Sequence, residues 1–144
     1  MYSLQLHIFN KINILLPVVA LTIMLGSCAR KMSFSSSSIV PAARGTVKLK
    51  TDKNNNHSID VDVLHLAPPD RLTPARKVYV VWIVTENNGT QNVGQLKSSS
   101  SMLSKTLKGS LETKSTFKPV SVFITAEDDG TVQYPGNTTV LNTN

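Results

Sequence analysis

The chain has 144 residues, 40% of them hydrophobic and 17% charged, and its 15 Lys and Arg against 9 Asp and Glu give a formal charge of +6. Cys28 is the only cysteine, which excludes an internal disulfide. The basic residues stand singly, as at Lys48, Lys50, Arg71, Arg76, Lys97 and Lys118, with few aromatics between them, so no basic helix or stacking platform for nucleic acid is present.

Residues 1–27 read as a secretory leader. The stretch "HIFNKINILLPVVALTIMLGS" carries one early charge, Lys11, then an apolar run ending at the small residues Gly26 and Ser27. A membrane span needs about 20 predominantly apolar residues, whereas this run is shorter and holds Pro17. Directly after it, "LGSC" at Leu25 to Cys28 resembles the lipobox of bacterial lipoproteins: an aliphatic residue, two small ones, and the cysteine that is acylated and becomes the new N-terminus. That resemblance implies lipidation at Cys28 with several palmitate-type chains. At about 0.8 kcal/mol per buried CH₂, two or more such chains hold a protein stably. The expected membrane contact is therefore a lipid anchor at Cys28, not a span. The following "ARKMSF" has no aspartate beside the cysteine and no acidic cluster resembling a surface-export tag. By family habit this implies an outer-membrane position facing the periplasm.

Loss of Lys11 with the leader lowers the formal charge from +6 to +5. Residues 28–43, "CARKMSFSSSSIVPAA", are serine-rich and contain a proline, and they read as a flexible tether. Arg30 and Lys31 there would meet anionic headgroups at about 1 kcal/mol each. About 100 residues, 44–144, remain for one compact domain with a modest core.

In that domain "GTVKLKT" sets Val47 and Leu49 against Lys48 and Lys50, predicting a half-buried strand. "SIDVDVLHL" alternates Ile59, Val61 and Val63 against Asp60 and Asp62, then shifts phase at Leu64 and Leu66, which predicts a bulge or twist. "KVYVVWIVTE" is apolar on both faces, Val80, Trp82 and Val84 on one and Tyr79, Val81 and Ile83 on the other, and belongs in the middle of the structure. Asn88-Gly89 after it is the strongest hairpin signal. The serine-rich stretch from Lys97 to Phe117, with Met102, Leu103, Leu107 and Leu111, admits a short helix or two exposed strands, and strands are expected. "PVSVFITAE" turns Val120, Val122, Ile124 and Ala126 inward, with Phe123 an apolar exception outside. Asn, Asp, Gly and Pro fill the connections. Short strands at this spacing predict an all-β chain folded as an antiparallel, immunoglobulin-like β-sandwich.

The order of these pieces is similar to the extracytoplasmic C-terminal domain of the anti-sigma-K factor family. The similarity is carried by a Tyr-x-x-Trp strand, a glycine turn, a strand with "VGQL", and the ending "VSVFITAEDDGTVQYPGNTTVL". The matching positions are Tyr79, Trp82, Gly94, Val122, Thr125, Glu127, Gly130, Pro135, Gly136 and Val140, across residues 45–142. The resemblance implies a β-sandwich without catalytic residues. Anti-sigma factors also carry a cytoplasmic helical domain and a membrane helix, for which this sequence shows no counterpart. A chain exported behind a cleaved leader would make no direct contact with a sigma factor.

No motif demands chemistry. Asp52, Asn54, Asn56, Ser58 and Asp60 alternate as in a calcium loop, but His57 stands where that loop needs glycine and Val63 where it needs a bidentate glutamate. His57 and His65 lie beside one strand without the Cys or Glu partners that zinc requires. No serine sits in a nucleophile elbow. Trp82 and Tyr79 are expected to pack in the core or between sheets rather than to line a ligand surface. The expectation is a non-enzyme with no cofactor and no metal: a lipid-anchored binding or scaffolding module whose partner is an envelope protein. The alternative is a regulatory component of an anti-sigma signalling pathway.

Overall fold

A computed structural model describes residues 29–99 and 107–143. They form nine strands: β1 Arg30–Ser33, β2 Arg44–Thr51, β3 His57–Leu64, β4 Val78–Thr85, β5 Thr90–Gln95, β6 Lys97–Ser99, β7 Lys108–Ser115, β8 Pro119–Glu127 and β9 Thr139–Asn142. A 3-10 turn, Pro69–Arg71, precedes β4. All pairings are antiparallel, in a five-stranded sheet ordered β1-β2-β3-β7-β6 and a four-stranded sheet ordered β5-β4-β8-β9. The fold is the expected all-β sandwich of two packed antiparallel sheets.

Period-two patterning explains the layers. Val47 and Leu49 of β2 and Ile59, Val61 and Val63 of β3 are buried, while Lys48, Lys50 and Asp62 between them face water. From the other sheet Tyr79, Val81, Ile83, Val122, Ile124 and Leu141 close the same core. Each such aliphatic side chain contributes roughly 1.5–3 kcal/mol on full burial.

The sheets join at both edges. After β5 the chain passes Leu96, whose N–H donates to Tyr79 O at 2.9 Å, and continues as β6 in the other sheet. On the far side Phe34, just past β1, bridges to Thr143, and Ser35 N–H donates to Asn142 O at 2.8 Å. These crossings cover edges that would otherwise offer unpaired backbone to another chain.

Four expectations are corrected. The segment read as a tether is part of the sandwich as far as it is described: β1 pairs with β2 from Arg30↔Leu49 to Ser33↔Thr46, and Met32, Val40 and Ala43 belong to the core. Its few apolar residues, Met32, Val40 and Ala43, are buried with the core that both sheets form. The phase shift after Val63 is not a bulge. β3 ends at Leu64, and His65 at φ 56° turns the chain so that Leu66 returns to the core. Val120 is 41% exposed, because the β4–β8 register shifts between Val84 and Thr85 and leaves the first residues of β8 out of phase with the core. Trp82 is buried, but on the outer face of the four-stranded sheet and not between the sheets. The serine-rich stretch yields β6 and β7 as expected, with Met102 and Leu103 outside the described residues.

Candidate functional site

Two of the buried polar residues, Thr125 and Glu127, lie on the outer face of the four-stranded sheet. β4 alternation sends Val81 and Ile83 into the core and Val80 and Trp82 the opposite way. Opposite Trp82 on β8 is Phe123, with ring centroids 6.2 Å apart and planes 13° from parallel. On the same face, two and four residues further along β8, are Thr125 and Glu127, both buried.

These side chains form one hydrogen-bonded chain. Trp82 Nε1–H donates to Thr125 Oγ1 at 2.8 Å. The Thr125 hydroxyl donates onward to Glu127 Oε1 at 2.6 Å. Gly136 N–H donates to the same oxygen at 2.7 Å. A buried indole N–H or carboxyl group without a partner would cost several kcal/mol; here each finds one.

Gly136 belongs to the loop Asp128–Thr138, which explains what buries Trp82. Asn92 of β5 donates through Nδ2 to Gly130 O at 3.0 Å and Val132 O at 2.9 Å. A Cβ on Gly130 would collide with the Gln95 side chain, again on β5. The loop thus touches β5 on one side and Glu127 of β8 on the other, and β4 lies between them. It must cross over Val80 and Trp82. At the crossing a Cβ on Gly136 would stand 2.7 Å from Glu127 Oε2, so a larger residue would press on the carboxylate that holds the loop. At the loop entrance Arg76 Nη1 pairs with Asp128 at 2.8 Å. Asp129 Oδ1 accepts from Thr131 N and Oγ1, backbone bond first, which holds its carboxyl below the usual range. The loop presents Tyr134 outward, 84% exposed.

A second feature lies at the end of the sandwich where β3 finishes and β4 begins. An open cleft of about 200 Å³ is lined by Leu66, Ala67, Pro69, Tyr79 and Leu96, with Lys77 and Lys108 at its rim. It is smaller than the roughly 300–1,000 Å³ of most small-molecule sites. Tyr79 Oη donates to Ala67 O at 2.8 Å, and burial, then the Asp70 charge, pushes the phenol up to about 12.

Cys28, the expected acylation site, lies outside the described residues. In the turn before β3, Asp52 Oδ1 accepts from Asn54 N and Asn56 N, and Oδ2 from Asn56 Nδ2. Its carboxyl, held below the usual range mainly by the Asn56 bonds, is thus engaged within its own turn. His57 is buried and shares a 2.9 Å hydrogen bond between Nδ1 and the Thr51 hydroxyl. His65 lies exposed beyond the other end of β3. Of the residues expected to matter, the structure brings together Trp82, Thr125, Glu127, Gly130 and Gly136 around one loop. Asn92, equally involved, was missed because an Asn in a polar strand gives no signal of a distant carbonyl partner.

Comparison with protein-family models, curated proteins and solved structures finds no match to the chain.

Proposed function

We propose that the protein is a lipid-anchored, non-catalytic binding or scaffolding module of the cell envelope, attached at Cys28. The observation that carries this reading is the hydrogen-bonded loop. The buried Trp82–Thr125–Glu127 chain and the Asn92 amide are both committed to holding Asp128–Thr138 in place. Groups so engaged hold a surface in place, and that surface displays Tyr134 and Gln133, both exposed. Exposed tyrosine on a pre-organised loop is a favourable contact residue, because it brings large area at small entropic cost.

Capture of envelope proteins from detergent-solubilised membranes tests the binding role. A partner held by the parent and lost by Tyr134→Ala is expected; equal capture by both would remove the loop as the recognition surface. Anchoring is tested by fatty-acid labelling, which Cys28→Ala should abolish. Labelling at the parental level would refute the lipoprotein reading.

A regulatory role in an anti-sigma pathway is the second reading. It is favoured by the convergence of residues carrying the family resemblance, Trp82, Thr125, Glu127, Gly130 and Gly136, on this loop. Under that reading the captured partner is a membrane-spanning anti-sigma protein.

A further inference from the structure

We infer that one end of the sandwich rests directly on an anionic lipid surface, in a set orientation; the inference depends on the acylation of Cys28 proposed above. Strand register defines that end. β1 enters at Arg30 opposite Leu49, β2 leaves at Thr51 opposite His57, and His57 lies opposite Ser115, where β7 stops. Three residues later β8 starts at Pro119, opposite Thr85. The chain entry and the turns after Thr51, Ser115 and Thr85 therefore share one end.

Reach decides how this end stands to a membrane. A tether of residues 28–43 could extend about 50 Å at roughly 3.3 Å per residue and would leave the domain free to tumble. The structure removes it, since β1 begins at Arg30 with only Ala29 between that strand and Cys28. Two residue steps span at most about 7 Å. With acyl chains on Cys28, the end that carries Arg30 is held within that distance of the headgroups.

The surface there suits the contact. Arg30, Lys50, Lys53, Lys114 and Lys118 are exposed around it, and Phe117 is 39% exposed on the turn between β7 and β8. Against them stand Asp52, engaged within its own turn, and Glu86, paired with Lys118 at 3.2 Å. Asp60 and Glu112, opposite each other, lie one same-face step further up the sheet than Ser58 and Lys114. The remote end is also basic, through Arg44, Lys77 and Lys108, so charge alone does not choose between the ends. The entry point of β1 chooses. Each basic side chain at the surface is worth about fivefold in membrane partition, the equivalent of about 1 kcal/mol.

The test uses the acylated protein purified from membranes and returned to vesicles of phosphatidylethanolamine and phosphatidylglycerol with brominated acyl chains. Phe117→Trp should be quenched, whereas Leu64→Trp, at the far end of β3, should match the parental background from buried Trp82. Equal quenching of the two variants overturns the inference. Lys53→Glu with Lys114→Glu should lower the quenching of the Phe117→Trp protein, as should replacing phosphatidylglycerol with phosphatidylcholine; indifference to both removes the electrostatic contact. Hydrogen exchange of the unsubstituted protein gives a readout independent of the variants. Amides of Lys53–Asn56 and Thr116–Lys118 should slow on anionic vesicles relative to detergent, and unchanged exchange counts against the contact. Mass spectrometry separates the two levels: an unacylated Cys28 refutes the anchor and this inference with it, while an acylated chain without Phe117→Trp quenching refutes the orientation alone.

Discussion

At the scale of single residues, the outer face of the four-stranded sheet is held by a short chain of donors that ends on one acceptor, Glu127 Oε1, which takes both the Thr125 hydroxyl and the Gly136 N–H. Glu127→Ala would leave the Thr125 hydroxyl and the Gly136 N–H without their acceptor, at about 1–3 kcal/mol for buried groups. Glu127→Gln keeps an oxygen in the same place and should cost clearly less; urea denaturation of the pair measures the difference, and equal losses would mean that charge, not hydrogen bonding, holds the loop. Trp82→Ala removes a fully buried ring together with its bond to Thr125. A loss of about 3–5 kcal/mol is expected, with amides of Asp128–Thr138 losing exchange protection before the core strands do. A loss under about 1 kcal/mol, within the range of ordinary surface substitutions, would contradict the burial of Trp82.

Elements carry consequences that no single side chain does. The hairpin between β4 and β5 is closed by Thr85 N–H and Oγ1–H, both donating to Gly89 O, while Gly89 sits at φ 66°. Nothing lies within 4 Å of where a Cβ would stand, so a substitution there meets only backbone strain. Gly89→Val should cost about 1–3 kcal/mol, and Gly89→Asn much less, because asparagine tolerates the left-handed region. Similar midpoints in thermal melts of the two variants would show that the turn is not strained. β1 is the other element to test. Met32 is 7% exposed in that strand, and Met32→Ala should destabilise by about 2 kcal/mol or more if the strand is docked as described. A change near zero would return residues 30–33 to the status of a tether.

For the whole molecule the pH response follows from a few perturbed groups. Tyr79 has its folded pKa raised to about 12 from 10.0, first by burial and then by Asp70. A raised folded pKa means that its contribution is complete below pH 10 and is lost as pH rises towards 12. Stability should therefore fall across that alkaline window, and Tyr79→Phe should flatten the fall; parallel pH profiles for the two proteins would assign the loss elsewhere. Asp52 and Asp129 run in the opposite sense. Both carboxyls are depressed below 3.8 by local hydrogen bonds, so what they contribute is present above that value and lost as pH falls further. Both lie on exposed turns, where solvent screens the effect.

What the sequence determined alone is what period two and local chemistry encode. β2 and β3 each have one wet and one dry face, so the parity of Val47, Leu49, Ile59, Val61 and Val63 states which side is core. Gly89 announces its turn, because few other residues take a positive φ. The single cysteine after an apolar run is likewise a local fact. Tertiary structure alone decided three things, each for want of a local signal. β4 is apolar on both faces, so parity could not tell which face Trp82 shares with the core and which a loop covers. Residues 30–43 hold too few apolar positions to show a period, and only their packing in the folded chain makes Met32, Val40 and Ala43 into core. Glu127 reads as an ordinary charge at a strand end, and its burial depends on Gly136 returning nine residues later to donate to it. Such a contact depends on where the loop crosses in space, and neither neighbour spacing nor residue type records that.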